Sequence, residues 1–249
     1  MARPEYIELP TGEKIAILYE DRSVIAIDKP AGWMLVPFSW QKTNRNLQAA
    51  LTSSIAAKDF WARSRNLRFL RFVHRLDADT TGVLLLAKSP GAVASYGSLF
   101  EGRQMEKHYL AVVQGVPKEA EWTCRLNIGL DPEVRGKMKV DPRGGKSAET
   151  HFRILETING ATLIEARPHT GRTHQIRVHL QAAGSPVIGD ELYGKSPPKR
   201  NVTLALRAIR LAYRDPFLQR LVEIRAPVED FVRKHGFKNA QIEARKPAA

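Results

Sequence analysis

Apolar and polar positions along the chain mark short elements divided by turn chemistry rather than long periodic helices. Residues 15–19 and 24–28 read as two strands, split by the polar quartet Glu20-Asp21-Arg22-Ser23. Asp28-Lys29-Pro30-Ala31-Gly32 then forms a turn, with Pro30 fixing φ and Gly32 free to take a left-handed conformation. Leu47, Ala50, Leu51 and Ile55 recur at helical spacing. The strongest apolar run, Val83 to Ala87, is bounded by Gly82 and by Lys88-Ser89-Pro90, which predicts a strand buried on both faces. Ser89-Pro90 is a helix start, an N-cap followed by proline at the first helical position, and Glu101-Gly102 is the matching stop.

Residues 107–115 read as the next strand. Two β-rich runs, 148–157 and 161–167, flank Asn159-Gly160, a strong hairpin signal. Thr173 is placed to cap a helix over 174–183 that Gly184 closes. Further strands are expected at 204–211 and 220–226, and a last helix at 228–235 ahead of Gly236. Residues 1–14 read as a polar arm, and 131–146 as a solvated excursion rich in Gly, Pro and charge. Strands and helices alternate irregularly around a clear hairpin. The fold class is therefore α+β, with a mixed, largely antiparallel central sheet flanked by helices and loops, rather than a doubly wound fold.

Charge changes this picture. In 249 residues, 39 Lys+Arg stand against 26 Asp+Glu, a formal net charge of +13, which favours polyanionic partners, nucleic acid before anionic membrane. Cys124 is the only cysteine, so an intrachain disulfide and a cysteine-rich zinc site are excluded. The first residues lack the apolar core of a signal peptide, and no apolar run approaches a membrane span, so a cytoplasmic protein is expected.

Just before the central strand stand His74, Arg75, Asp77 and Asp79, too many charges for a strand interior. They read as a polar loop that carries side chains into a cleft from a rigid strand. Asp77 can serve as nucleophile or general base, or be a structural or turn-capping carboxylate. Phe60, Trp61, Phe69 and Phe72 are interleaved with Arg63, Arg65, Arg68, Arg71 and Arg75, either as a phosphate-contacting surface with stacking platforms or as core aromatics with solvated arginines. In the predicted helix after Thr173, Ile176 and Leu180 would face the core while His174 and Arg177 share a polar face. Its first amides and Arg172 would then form a phosphate seat. His169, His174 and His179 do not make a zinc site. Their five-residue spacing turns successive helical side chains by about 140°, and no H-E-x-x-H, phosphate-loop or dinucleotide motif occurs.

Across about residues 20 to 230 the chain resembles the RluA-type RNA pseudouridine synthases. Five stretches carry the resemblance in order: Asp28-Lys29-Pro30-Ala31-Gly32; His74-Arg75-Leu76-Asp77 with Thr80, Gly82 and Ala87-Lys88; Lys107, Tyr109, Ala111 and Gly115; the run from Pro168 to Leu180; and Gly184-Ser185-Pro186-Val187-Ile188-Gly189-Asp190. The resemblance implies the pseudouridine synthase fold and isomerisation of uridine to pseudouridine in structured RNA, tRNA or ribosomal RNA, without a cofactor or metal. It assigns Asp77 as the catalytic aspartate and Arg75 as the side chain that fills the space of a flipped-out uridine. Tyr109 becomes the tyrosine that stacks on the base, with a role in proton transfer. Arg177 becomes the basic partner of the aspartate, and Ile176 part of the pocket lining. His74, Arg172 and His174 are expected to bind substrate. Two departures stand out: Thr81 replaces a usual serine, and Arg207 replaces the histidine of a Leu-His-Ala stretch.

The expected organisation is an N-terminal arm and first strand at 1–19, a catalytic domain at 20–235 and a basic tail at 236–249. Many relatives carry an S4-type RNA-binding domain ahead of the catalytic one, and none is expected here. RNA choice would then fall to the loops at 38–66, 131–146 and 194–201. Monomer is the default oligomeric state. The alternative reading from another class is a non-catalytic RNA-binding or assembly factor on the same fold. A hydrolase using Asp77 and Asp79 as a pair is disfavoured, because two residues apart in sequence does not set them across a bond.

Overall fold

The computed structural model describes residues 3–35, 45–195 and 202–238. Its elements run β1 (Tyr6–Glu8), β2 (Lys14–Glu20), β3 (Val24–Lys29), α1 (Leu47–Ala56), α2 (Phe60–Arg63), β4 (Arg71–Phe72), β5 (Thr81–Ala87), α3 (Pro90–Glu101) and β6 (Glu106–Gln114). They continue with β7 (Glu121–Cys124), β8 (Ile128–Leu130), β9 (Met138–Val140), β10 (Thr150–Ile158), β11 (Ala161–Pro168), α4 (Gln175–Ala182), β12 (Leu206–Arg214), β13 (Leu221–Arg225) and α5 (Glu229–Lys234). The chain divides into two compact units, Met1–Lys107 with Ala208–Ala226, and His108–Arg207 with Pro227–Ala249.

In the first unit the sheet order is β1-β2-β3-β5-β12, with β4 alongside β5 and β13 alongside β12. The apolar run in β5 is buried on both faces, as its composition predicts. Val83, Leu85 and Ala87 join a core with Ala92 and Tyr96 of α3 and with Leu211, Tyr213, Val222 and Ile224. Leu84 and Leu86, pointing the other way, are equally withdrawn from water. Ser89 caps α3 by accepting the Ala92 amide, with Pro90 in the first turn. Gly82 has φ +105°, and a Cβ there would lie 2.0 Å from the Ala208 carbonyl oxygen, so only glycine lets β5 begin here.

In the second unit β6, β11, β10 and β7 follow one another in the sheet. β10 and β11 form the expected hairpin, with Ile158 opposite Ala161 and both Asn159 (φ 49°) and Gly160 (φ 77°) left-handed. Every strand pair of known register in either unit is antiparallel. The α+β class is the one expected.

Three local expectations change. The segment read as an arm contains β1, held on β2 with Ile7 fully buried. The excursion at 131–146 is largely structured, because β9 pairs with β8. The helix after Thr173 begins later, at Gln175. His174 is its left-handed N-cap residue (φ 55°), and no side chain caps it. Its polar face is not solvated either, since every residue from Gln175 to Leu180 is buried. In the basic aromatic stretch the two readings divide by residue. Trp61 is core, and Arg65 is an interior strut that donates to Glu20 and to the Pro4 and Trp61 carbonyls. Arg63, Arg68, Arg71 and Arg75 are exposed.

Candidate functional site

In the first unit, candidate chemistry sits on the loop between β4 and β5. Arg75 is exposed, Leu76 is buried, Asp77 is half-buried and Thr80 is buried, so the loop is anchored at alternate points. Its backbone hangs on one cation. Lys29, at the end of β3 and fully buried, donates from Nζ to the carbonyls of Ala78 (2.5 Å), Thr80 (3.1 Å) and Pro30 (3.0 Å). The Gly32 amide adds a second donor to the Ala78 carbonyl, and the Thr80 amide closes a turn onto the Asp77 carbonyl. Burial lowers the Lys29 ammonium to about pKa 8, although the charges of Asp79 and Asp77 oppose that fall.

His74 is also engaged with the fold. Its Nε2 accepts the Leu85 amide at 3.0 Å, which leaves the ring proton on Nδ1, and the ring stacks on Phe100 at 4.5 Å. Burial, with Lys107 nearby, pushes this imidazole down to about 3, so it is neutral at ordinary pH. Its visible task is to tie the loop to β5.

In the second unit the candidate groups gather on and around α4. Arg177 forms a bidentate pair with Asp190, Nε to Oδ2 at 2.7 Å and Nη2 to Oδ1 at 2.8 Å, and both side chains are buried. Asp190 Oδ1 also accepts the amides of Leu192 and Tyr193. The Tyr193 ring lies 5.1 Å from the Arg177 guanidinium, and its hydroxyl is 2.9 Å from Nδ1 of His174. Fork geometry of this kind fixes the direction of the guanidinium as well as its position.

Gln175 is the hub beneath α4. Its carbonyl oxygen accepts the Thr170 hydroxyl and the Arg172 amide, and its NH2 donates to the Glu149 carbonyl and the Thr150 hydroxyl. The Arg172 amide is thus bonded within the protein. The Arg172 guanidinium donates through Nε to the Ser147 carbonyl. Ile176 is buried, and Tyr109 is half-buried on β6 opposite Ala166. His179 lies between the Thr150 hydroxyl and the Leu126 carbonyl, a structural position. Arg207 is buried, with Nε donating to the Pro227 carbonyl.

The structure thus places Arg177 and Ile176 on one short helix with His174 at its N-cap, and His74, Arg75 and Asp77 on one loop. Four supporting residues received no role from the sequence: Lys29, Gln175, Asp190 and Tyr193. All but Tyr193 lie inside stretches that carry the resemblance, and a charged or amide residue beside an apolar run was the available signal.

A family model described as RNA pseudouridylate synthase matches residues 23–182. The chain belongs to this family. It is 36% identical over 217 residues to an uncharacterized RNA pseudouridine synthase of Synechocystis sp., covering 85% of this chain and 65% of that protein. A similarly described protein of Chlorobaculum parvum is 37% identical over 226 residues, covering 89% and 66%. Ribosomal large subunit pseudouridine synthase C of Vibrio parahaemolyticus is 34% identical over 228 residues, covering 88% and 67%. The chain spans just under two thirds of the length of the first two of these relatives. Among solved structures, human RNA Pseudouridylate Synthase Domain Containing 1 aligns at TM-score 0.69 and 28% identity over 86% of this chain and 84% of that one. The pseudouridylate synthase match contains the Asp77 loop, Tyr109 and Arg177, whereas Asp190 and Tyr193 lie beyond its end.

Proposed function

We propose that this protein isomerises uridine to pseudouridine in structured RNA, with ribosomal RNA the first substrate class to test and tRNA the second. The observation that carries this reading is the Asp77 loop. A carboxylate follows the His-Arg-Leu motif within the matched region, on a backbone fixed by a buried ammonium. That is the preorganisation a catalytic group needs. The setting of the reaction is taken to be the cytoplasm, and no described helix is long and apolar enough to cross a membrane.

The reaction breaks the bond between uracil N1 and the ribose, turns the base and joins C5 to the sugar, with loss of the C5 proton and gain of a proton at N1. Asp77 is the catalytic carboxylate, as nucleophile, general base or both. Tyr109 is the platform for the target base, and Arg177 is the basic residue that the family resemblance pairs with the aspartate. Arg75, exposed on the same loop as Asp77, is the side chain that takes the place of the extruded base. Leaving the stack costs a few kcal/mol, and the arginine and the tyrosine offset that cost. Ile176 lines the pocket, and His174 orients Arg177 through Tyr193. His74 positions the loop through its bond to the Leu85 amide.

Tritium release from 5-tritiated uridine in unmodified ribosomal RNA and tRNA tests this directly. Release by the wild type, abolished by Asp77→Ala, is the expected result. RNA binding without release from either RNA would turn the assignment toward a non-catalytic RNA-binding factor.

A further inference from the structure

The segment between β7 and β10 combines rigidity with unspent positive charge. Resting on the functional reading above, we propose that the β8–β9 hairpin is a preformed ledge for the RNA backbone, holding phosphates outside the target nucleotide through Lys139, Arg143 and Lys146.

Its inner face is ordinary core. Ile128, Ala148, Val178 and Tyr193 form a cluster against which Met138 and Val140 pack. The outer face carries the charge. Lys139 alternates with Met138 and Val140 along β9 and is exposed, as are Arg143 and Lys146 in the turn that follows. Residues 125–146 hold Arg125, Arg135, Lys137, Lys139, Arg143 and Lys146 against only Asp131, Glu133 and Asp141. Arg125 is spent on Glu149, and Lys137 lies over the Tyr193 ring. Among the described residues no salt bridge holds Arg135, Lys139, Arg143 or Lys146, although the charge of Lys139 helps to lower the Asp141 carboxyl.

Asp141 is committed to the turn. Its Oδ1 accepts the amides of Arg143 and Gly144, and its carbonyl accepts that of Gly145. A Cβ on Gly145 would lie 2.4 Å from the Asp141 carbonyl oxygen and 2.9 Å from Ile128 backbone atoms, so the turn lies flat on β8. Lys146 then exchanges both backbone hydrogen bonds with Ile128, as a third strand would. A basic segment that merely kept the protein soluble would not need such fixing. One that must present cations to phosphates at set spacing would, because preorganisation lowers the ordering cost of binding.

Two hydrogen bonds connect the ledge to the residues around α4. The Met138 amide donates to the Tyr193 hydroxyl at 2.9 Å, the oxygen that also meets His174. At the other end the Arg172 guanidinium bonds the Ser147 carbonyl, next to Lys146. The occupant that fits this surface is a phosphodiester backbone, met by side chains that read no base.

The test is filter binding of unmodified ribosomal RNA and tRNA transcripts over a salt series, comparing wild type with the triple variant Lys139→Gln/Arg143→Gln/Lys146→Gln. The slope of log affinity against log salt should shrink by about one for each phosphate no longer neutralised, so by about three. Affinity should fall most at low salt. A charge-conserving triple, Lys139→Arg/Arg143→Lys/Lys146→Arg, should keep the wild-type slope. A neutral triple that is folded by circular dichroism and retains the wild-type slope would overturn the ledge, as would an equal loss in the charge-conserving variant. If the wild type released no tritium from any RNA, the enzymatic reading would fail. The slope comparison would still decide the ledge.

Discussion

Lys29 and Arg177 are both cations withdrawn from water, one in each compact unit, and they are satisfied by opposite means. Lys29 gives its ammonium to three neutral backbone carbonyls. Arg177 gives its guanidinium to the paired oxygens of Asp190. Carbonyls around an ammonium fix the path of the chain, and the charges of Asp79 and Asp77 act on that same ammonium from the loop. A carboxylate fork around a guanidinium fixes the side chain itself. The two also differ in proton chemistry. Burial brings the lysine to about pKa 8, whereas an arginine keeps its charge at any ordinary pH. Holding a backbone and aiming a side chain are thus separate problems, solved here by two different cations.

The sharpest way to break the comparison is at Asp77, on the loop that the lysine anchors. Asp77→Asn keeps shape and removes the charge, so turnover should fall about 10³-fold or more while RNA affinity stays near wild type. Single-turnover tritium release beside filter binding checks both. Appreciable pseudouridine formation by this variant would remove Asp77 from its proposed role.

Next in size is the fork. Asp190→Ala strands a buried guanidinium and two amides, and should cost about 3–5 kcal/mol in urea unfolding. Adding Arg177→Met should recover part of that loss, since an apolar replacement of a buried pair is often tolerated. A cost below about 1 kcal/mol would mean that the pair behaves as a solvated one.

Lys29→Met should be milder, about 1–3 kcal/mol, because neutral acceptors lose less than a stranded charge. Its pH signature is more telling. The folded value of about 8 lies below the ordinary 10.5, so between those values the unfolded chain binds more protons than the folded one. Lys29's contribution therefore rises with pH through that window and is lost as pH falls through 8. The stability difference between wild type and Lys29→Met should grow from pH 8 to 10.5, and a shrinking difference would contradict a desolvated ammonium.

His74→Phe should show the smallest effect. Stacking on Phe100 is retained and the Leu85 amide is left without its acceptor, so about 1 kcal/mol is expected. With the imidazole near pKa 3, the cost should be the same at pH 5 and pH 8. A cost that changes between those two values would mean the imidazole titrates there and the Leu85 bond is not its main tie.

Much of this molecule is legible in its sequence. Val83–Ala87, Ser89-Pro90 and Asn159-Gly160 each produce the element expected of them, and the resemblance singles out a loop that the fold does hold in place. These features depend on neighbours in sequence: a buried strand needs an apolar run, a cap needs a hydroxyl beside the first turn, and a tight hairpin needs residues that accept positive φ. The short strands β1, β8 and β9 lack such signatures, since three residues acquire strand geometry only from a partner already in place. The same reason explains what only the tertiary structure decided. Lys29 meets carbonyls 49 and 51 positions away, and Arg177 meets a carboxylate 13 positions on. His174 takes a left-handed turn, and Gln175 joins Thr150, Thr170 and Arg172. Burying a charge or an amide costs free energy that only a specific partner can offset, and those partners are brought together by the fold rather than by the local sequence.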